Sequence, residues 1–152
     1  MNKIVKVALA ASSTLVLASC SSDSGTSVPL EDPIGDISGG WSVLETFTSS
    51  NNECNGQSAY DINIAQNGNS ITVTGAVAGD RVTGTLSGDA LSLTGSRTED
   101  TGRVTYGSVK ATVPADCSSL NADTTWTYSE PGFSCTGTST MEANRTSGGT
   151  TC

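Results

Sequence analysis

Residues Tyr60–Gly75, YDINIAQNGNSITVTG, decide the fold. Tyr60, Ile62 and Ile64 alternate with Asp61 and Asn63, the period-two pattern of a strand with one buried face. Asn67-Gly68-Asn69 interrupts it with residues that tolerate the positive φ of a tight hairpin turn. Ile71, Val73 and Gly75 then resume the alternation on a returning strand. The unit is an antiparallel hairpin, and the chain on either side repeats it.

Upstream, Trp41 to Thr48 predicts a first strand with Trp41, Val43 and Phe47 on one face, joined to the hairpin by the polar loop Asn51–Gly56. Downstream, Ala78-Gly79-Asp80 turns into a fourth strand, Arg81–Ser87, with Val82, Gly84 and Leu86 inward. Ser87-Gly88-Asp89-Ala90 turns into a short fifth strand carrying Leu91 and Leu93, and Ser96–Gly102 reads as an exposed polar loop. In the sixth strand, Arg103–Val113, Val104 and Tyr106 share one parity and Val109, Ala111 and Val113 the other. A bulge at Gly107-Ser108 would reconcile them. Beyond Pro114 and the loop Asp116–Asn121, a seventh strand carries Thr124, Trp126 and Tyr128 on one face. Glu130-Pro131-Gly132 turns into an eighth strand, Phe133–Arg145. Short turns between successive strands predict an all-β, eight-stranded antiparallel up-and-down meander. Closure into a barrel removes two free edges, so a barrel is expected, with a β-sandwich as the alternative.

The start of the chain sets the compartment. Lys3 and Lys6 precede a short apolar run that ends in Leu17-Ala18-Ser19-Cys20, too short for a membrane span but suited to a secretory signal. Leu-Ala-Ser-Cys closely resembles the lipobox of bacterial lipoproteins. That resemblance implies a signal peptide over residues 1–19, cleavage before Cys20, and lipid on the Cys20 sulfur and amino group. By the same resemblance, Ser21 rather than Asp after the lipidated cysteine favours the outer membrane of a Gram-negative envelope. Residues 20–38 are rich in Ser, Asp, Pro and Gly and read as a flexible tether, with a reach of roughly 25 Å coiled and about 60 Å extended. Residues 39–152 form the barrel domain.

Composition narrows the function. All fifteen acidic residues but only five of the seven basic ones follow residue 19, leaving a net charge of −10. Such a surface excludes nucleic acid as a partner, and it cannot dock on anionic lipid by charge, so the membrane is reached through the lipid on Cys20. With no histidine, the Ser-His-Asp and Cys-His arrangements and the commonest metal ligand are absent. Once Cys20 is set aside, Cys54, Cys117, Cys135 and Cys152 form an even set in an oxidising compartment. Two disulfides with three connectivities are open at this point. There is no CxxC pair, and neither a zinc site nor any cofactor is expected.

Gly40-Trp41 at the start of the first strand, with Arg145 near the end of the last, resembles the calycin signature of lipocalins and related barrels. The resemblance implies that Arg145 stacks on the Trp41 indole and donates to nearby carbonyls, closing one mouth. The layout is similar to small bacterial lipocalin-like lipoproteins and to compact secreted metalloprotease inhibitors, and it lacks the usual lipocalin helix. In an up-and-down barrel Cys54 and Cys135 fall at one end, Cys117 and the tail bearing Cys152 at the other. The topology therefore predicts Cys54–Cys135 and Cys117–Cys152, each worth roughly 3–4 kcal/mol through loop closure.

Candidate chemistry is sparse. Glu99-Asp100, flanked by Thr98 and Thr101, lacks the spacing of a calcium loop and reads as an exposed acidic turn. Asp61, Asp116, Asp123 and Glu142 lie on polar faces or in loops and read as solvated surface, not a catalytic pair. No enzyme is expected. The expected function is a membrane-anchored envelope lipoprotein whose barrel binds a small hydrophobic ligand, with Tyr106, Trp126 and Tyr128 as candidate lining residues beside a cavity. The alternative is a filled barrel acting on an envelope protein or protease. The inward set of Ile, Val, Leu, Gly and Thr favours a barrel nearly filled by its own side chains.

Overall fold

The computed structural model describes residues 29–75, 80–99, 101–149 and 152. The expected signal peptide, Cys20, the tether through residue 28, Ala78-Gly79 of the third turn and Asp100 lie outside the described residues.

Eight strands follow one another in sequence: β1 (Gly39–Thr48), β2 (Gly56–Asn67), β3 (Ser70–Gly75), β4 (Arg81–Ser87), β5 (Ala90–Glu99), β6 (Gly102–Thr112), β7 (Ser119–Glu130) and β8 (Phe133–Arg145). Each pairs antiparallel with the next, and β1 pairs with β8, so the meander closes into a barrel and not a sandwich. The founding hairpin is in place: Asn67 pairs with Ser70, and Gly68 adopts the positive φ of 57° that the turn demands. The parity change in β6 is absorbed by a bulge at Gly107-Ser108, which shifts the register against both β5 and β7. The only helical element among the described residues is the single 3-10 turn Asn52–Cys54.

Three expectations from the sequence are corrected. Residues 96–102 are not a loop, because β5 runs to Glu99 and β6 starts at Gly102. Some strands are also longer than expected: β2 runs 12 residues, from Gly56 to Asn67, and begins before Tyr60. Third, the tether does not extend to residue 38. Ile37 is fully buried, its N–H donates to Gln66 Oε1 at 2.9 Å, and Ile34 N–H donates to Gly88 O at 2.8 Å. Asn69 Nδ2 donates to Glu31 O at 2.6 Å. Residues 31–37 thus strap the end of the barrel where the β2–β3 and β4–β5 turns lie. One apolar residue with an acceptor for its N–H overrides a composition that reads as linker.

The same end is closed from within. Trp41 is fully buried, and its indole N–H donates to Ile37 O at 3.0 Å. The Arg145 guanidinium lies 5.3 Å from the Trp41 ring and donates to the carbonyls of Asp36 and Ser38. Cys117, buried and left-handed at φ 48°, is joined to Cys152 here. At the opposite end Cys54 is joined to Cys135, tying the β1–β2 loop to β8.

Candidate functional site

The interior of this barrel is layered. Above the apolar residues of the closed end lies a polar layer centred on Glu45, whose side chain has no solvent exposure. Strand alternation puts it there: Trp41, Val43, Glu45 and Phe47 all point inward from β1. Glu45 Oε2 accepts from the hydroxyls of Tyr60 (2.8 Å) and Tyr106 (2.9 Å), and Oε1 accepts from Ser139 Oγ (2.6 Å). Arg97 supplies the cation, 3.4 Å from Glu45 Oε2. Its Nε donates to Tyr106 Oη at 2.7 Å, its Nη1 pairs with Glu99, and its guanidinium stacks 4.3 Å from the Tyr60 ring. A buried carboxylate needs this many partners, because desolvation costs several kcal/mol when uncompensated. Burial, reinforced by the neighbouring Glu45 charge, pushes both the Tyr60 and the Tyr106 hydroxyl above the ordinary phenol value of 10.0.

The polar layer also replaces missing wall. β3 stops at Gly75, opposite Ile62, and β4 begins at Arg81, opposite Ser96. The first residues of β2 and the last of β5 therefore face each other without strands between them among the described residues. Side chains bridge the gap: Ser58 Oγ donates to Glu99 Oε1 at 3.0 Å, and Arg97 lies over Tyr60. At its lower edge Thr98 N–H donates to Asp80 Oδ1 at 2.7 Å.

On the closed-end side of this layer the barrel keeps a cavity of about 140 Å³, walled by Val43, Ile64, Val73, Leu91, Leu93 and Val109 among others. It exists because inward positions on four strands carry Gly75, Ala111, Ala122 and Ala143, which are too small to meet at the centre. The expectation of a barrel filled by its own side chains is corrected on this point. Tyr106, Arg97, Asp80 and Thr98 form its polar rim. On the other side of the layer, a second hollow of about 320 Å³ opens at the Cys54–Cys135 end. Its lining mixes the aromatics Phe47, Trp126, Tyr128 and Phe133 with Gln57 and Glu99. Phe47 packs edge-on against Trp126, with centroids 5.3 Å apart.

The candidate lining residues therefore separate: Tyr106 borders the inner cavity, whereas Trp126 and Tyr128 line the outer hollow. Asp61, Asp116, Asp123 and Glu142 are exposed. Glu99 is not in an exposed turn; it ends β5 and is held by Ser58 and Arg97. No group of metal-ligating side chains occurs among the described residues. Sequence reasoning missed Glu45, Arg97 and Asp80. Parity could have found all three, since each continues an inward set: Glu45 with Val43, Arg97 with Leu91 and Leu93, Asp80 with Val82 and Leu86.

Fold and interior together define a small closed up-and-down barrel with a charged layer across its middle. No protein-family model matches the chain, and comparison with the curated proteins gives no match either.

Proposed function

We propose that this protein is a lipid-anchored envelope lipoprotein whose barrel binds a small, largely apolar ligand in its inner cavity, as a carrier or sensor and not as an enzyme. The observation that carries this reading is the 140 Å³ apolar cavity left by small residues at inward positions. A cavity of this size accepts a ligand about as large as benzene. The lipobox-like Leu17-Ala18-Ser19-Cys20 supports attachment through Cys20, and outer-membrane placement follows the resemblance at Ser21.

Binding is tested with 1-hexanol, followed by calorimetry on the purified protein. Wild-type protein takes it up and melts at a higher temperature, since a ligand that binds only the folded state stabilises it. Ala122→Leu, which fills the cavity, abolishes both effects. Absence of uptake by the wild type would overturn the ligand reading and leave a barrel that acts through its surface. Anchoring is tested separately: Cys20→Ser should release the chain from the membrane fraction.

A further inference from the structure

Resting on that reading, we propose that the ligand is a small organic cation, an apolar body of about six to eight non-hydrogen atoms bearing a primary ammonium group that pairs with Asp80. Asp80 is only 8% exposed and borders the inner cavity. Its Oδ1 accepts from Thr98 N–H, and its other oxygen has no hydrogen-bond partner among the described residues. That free oxygen lies against Gly75, where a Cβ would stand 3.1 Å from it. The bare glycine on the inward face of β3 thus leaves the space the carboxylate occupies.

The charges around the cavity leave Asp80 without a cation. Arg97, the less exposed of the two arginines that border the cavity, is engaged by Glu45, Glu99 and the Tyr106 hydroxyl on all three of its nitrogens. Arg81 borders the cavity but is exposed, and it makes no ion pair among the described residues. Residues 76–79 are Ala, Val, Ala and Gly and carry no charge. Glu45, Asp80 and Glu99 therefore face two guanidiniums, the engaged Arg97 and the exposed Arg81 at the rim, which leaves one negative charge in excess. Such a site attracts a cation, repels a carboxylate, and leaves a neutral alcohol without the charge-assisted bond. An ammonium at Asp80 would lie at the rim, with its alkyl body lying toward Leu91, Leu93 and Val109.

The test compares n-hexylamine, 1-hexanol and hexanoate by titration calorimetry at pH 7 on wild-type protein, Asp80→Asn and Ala122→Leu. The amine should bind about tenfold more tightly than the alcohol, the increment of one charge-assisted hydrogen bond, and hexanoate most weakly. Asp80→Asn keeps an acceptor for Thr98 N–H, and it should level the amine with the alcohol. Ala122→Leu should remove both, placing the amine inside the barrel and not on its acidic surface. Equal affinity of wild type for amine and alcohol overturns this inference alone. Failure of all three probes overturns it together with the ligand reading, and amine binding that survives Ala122→Leu shows a surface effect and also overturns it.

Discussion

Glu45 and Arg97 show how one residue's surroundings decide its worth. The pair is buried, and such pairs contribute little net stability over apolar residues of the same shape. Removing one partner, however, strands the other in a low-dielectric interior. Glu45→Ala or Arg97→Ala should each cost about 3–5 kcal/mol by urea denaturation, whereas Glu45→Leu with Arg97→Met should cost far less than the sum. Additive losses would mean the two side chains do not act as a unit. The phenols make a second residue-scale prediction. Tyr60 and Tyr106 ionise less readily folded than unfolded, because burial and Glu45 oppose a phenolate. Their contribution is complete below the unfolded value of 10.0 and is lost as pH rises above it. In a titration followed by phenolate absorbance, these two tyrosines should stay silent until the barrel unfolds at alkaline pH. Stability should fall with pH above 10 less steeply in Tyr106→Phe. Ionisation of all three tyrosines in folded protein near pH 10 would contradict this. Neither Glu45 nor Arg97 stood out in the sequence, because a buried charge at an inward position erases the apolar alternation that marks a strand. The run Ser96–Gly102 reads as loop for that reason, although β5 continues through it to Glu99.

Among the elements, legibility follows which force holds each one. β4 and β8 end where their alternation and turn residues place them, since apolar side chains and Gly or Pro punctuation carry that information locally. β3 and its hairpin partner are legible for the same reason. The strap over residues 31–37 is not: apart from local bonds with Ser38 and Trp41, its hydrogen bonds go to Gln66, Ser87, Gly88, Asn69 and Arg145, partners 29 or more residues away that no local pattern announces. Its one strong anchor is Ile37, seated against Trp41. Ile37→Ala should therefore cost about 2–5 kcal/mol, the range for truncating a buried aliphatic, although the residue lies before the first strand. Leu30→Ala, at a position 52% exposed, should cost almost nothing. Comparable small effects of the two substitutions in chemical denaturation would mean that the strap is not part of the cooperative unit.

The whole molecule has two unlike ends, and the strap says which one meets the membrane if Cys20 carries lipid as proposed. The strap lies across the closed end, beside Trp41 and the Cys117–Cys152 bridge. Residues 21–30 alone separate it from Cys20, a reach of at most about 36 Å. The exposed side chains of Leu30 and Ile34 lie on that same segment, an apolar contribution to a lipid-facing end on a protein too acidic to approach by charge. The open hollow lined by Phe47, Trp126 and Phe133 then points away from the bilayer. The two tryptophans make this measurable. Trp41 and Phe47 are six residues apart on β1, about 20 Å along the strand, and Trp126 packs on Phe47. With the lipidated protein in vesicles carrying a dansyl headgroup, the single-tryptophan variant Trp126→Phe, which retains Trp41, should transfer energy to the dansyl group more efficiently than Trp41→Phe. The reverse ranking would turn the open end toward the lipid and make the barrel a receiver of molecules leaving the membrane. Equal transfer would mean the domain tumbles on its linker and the strap imposes no orientation.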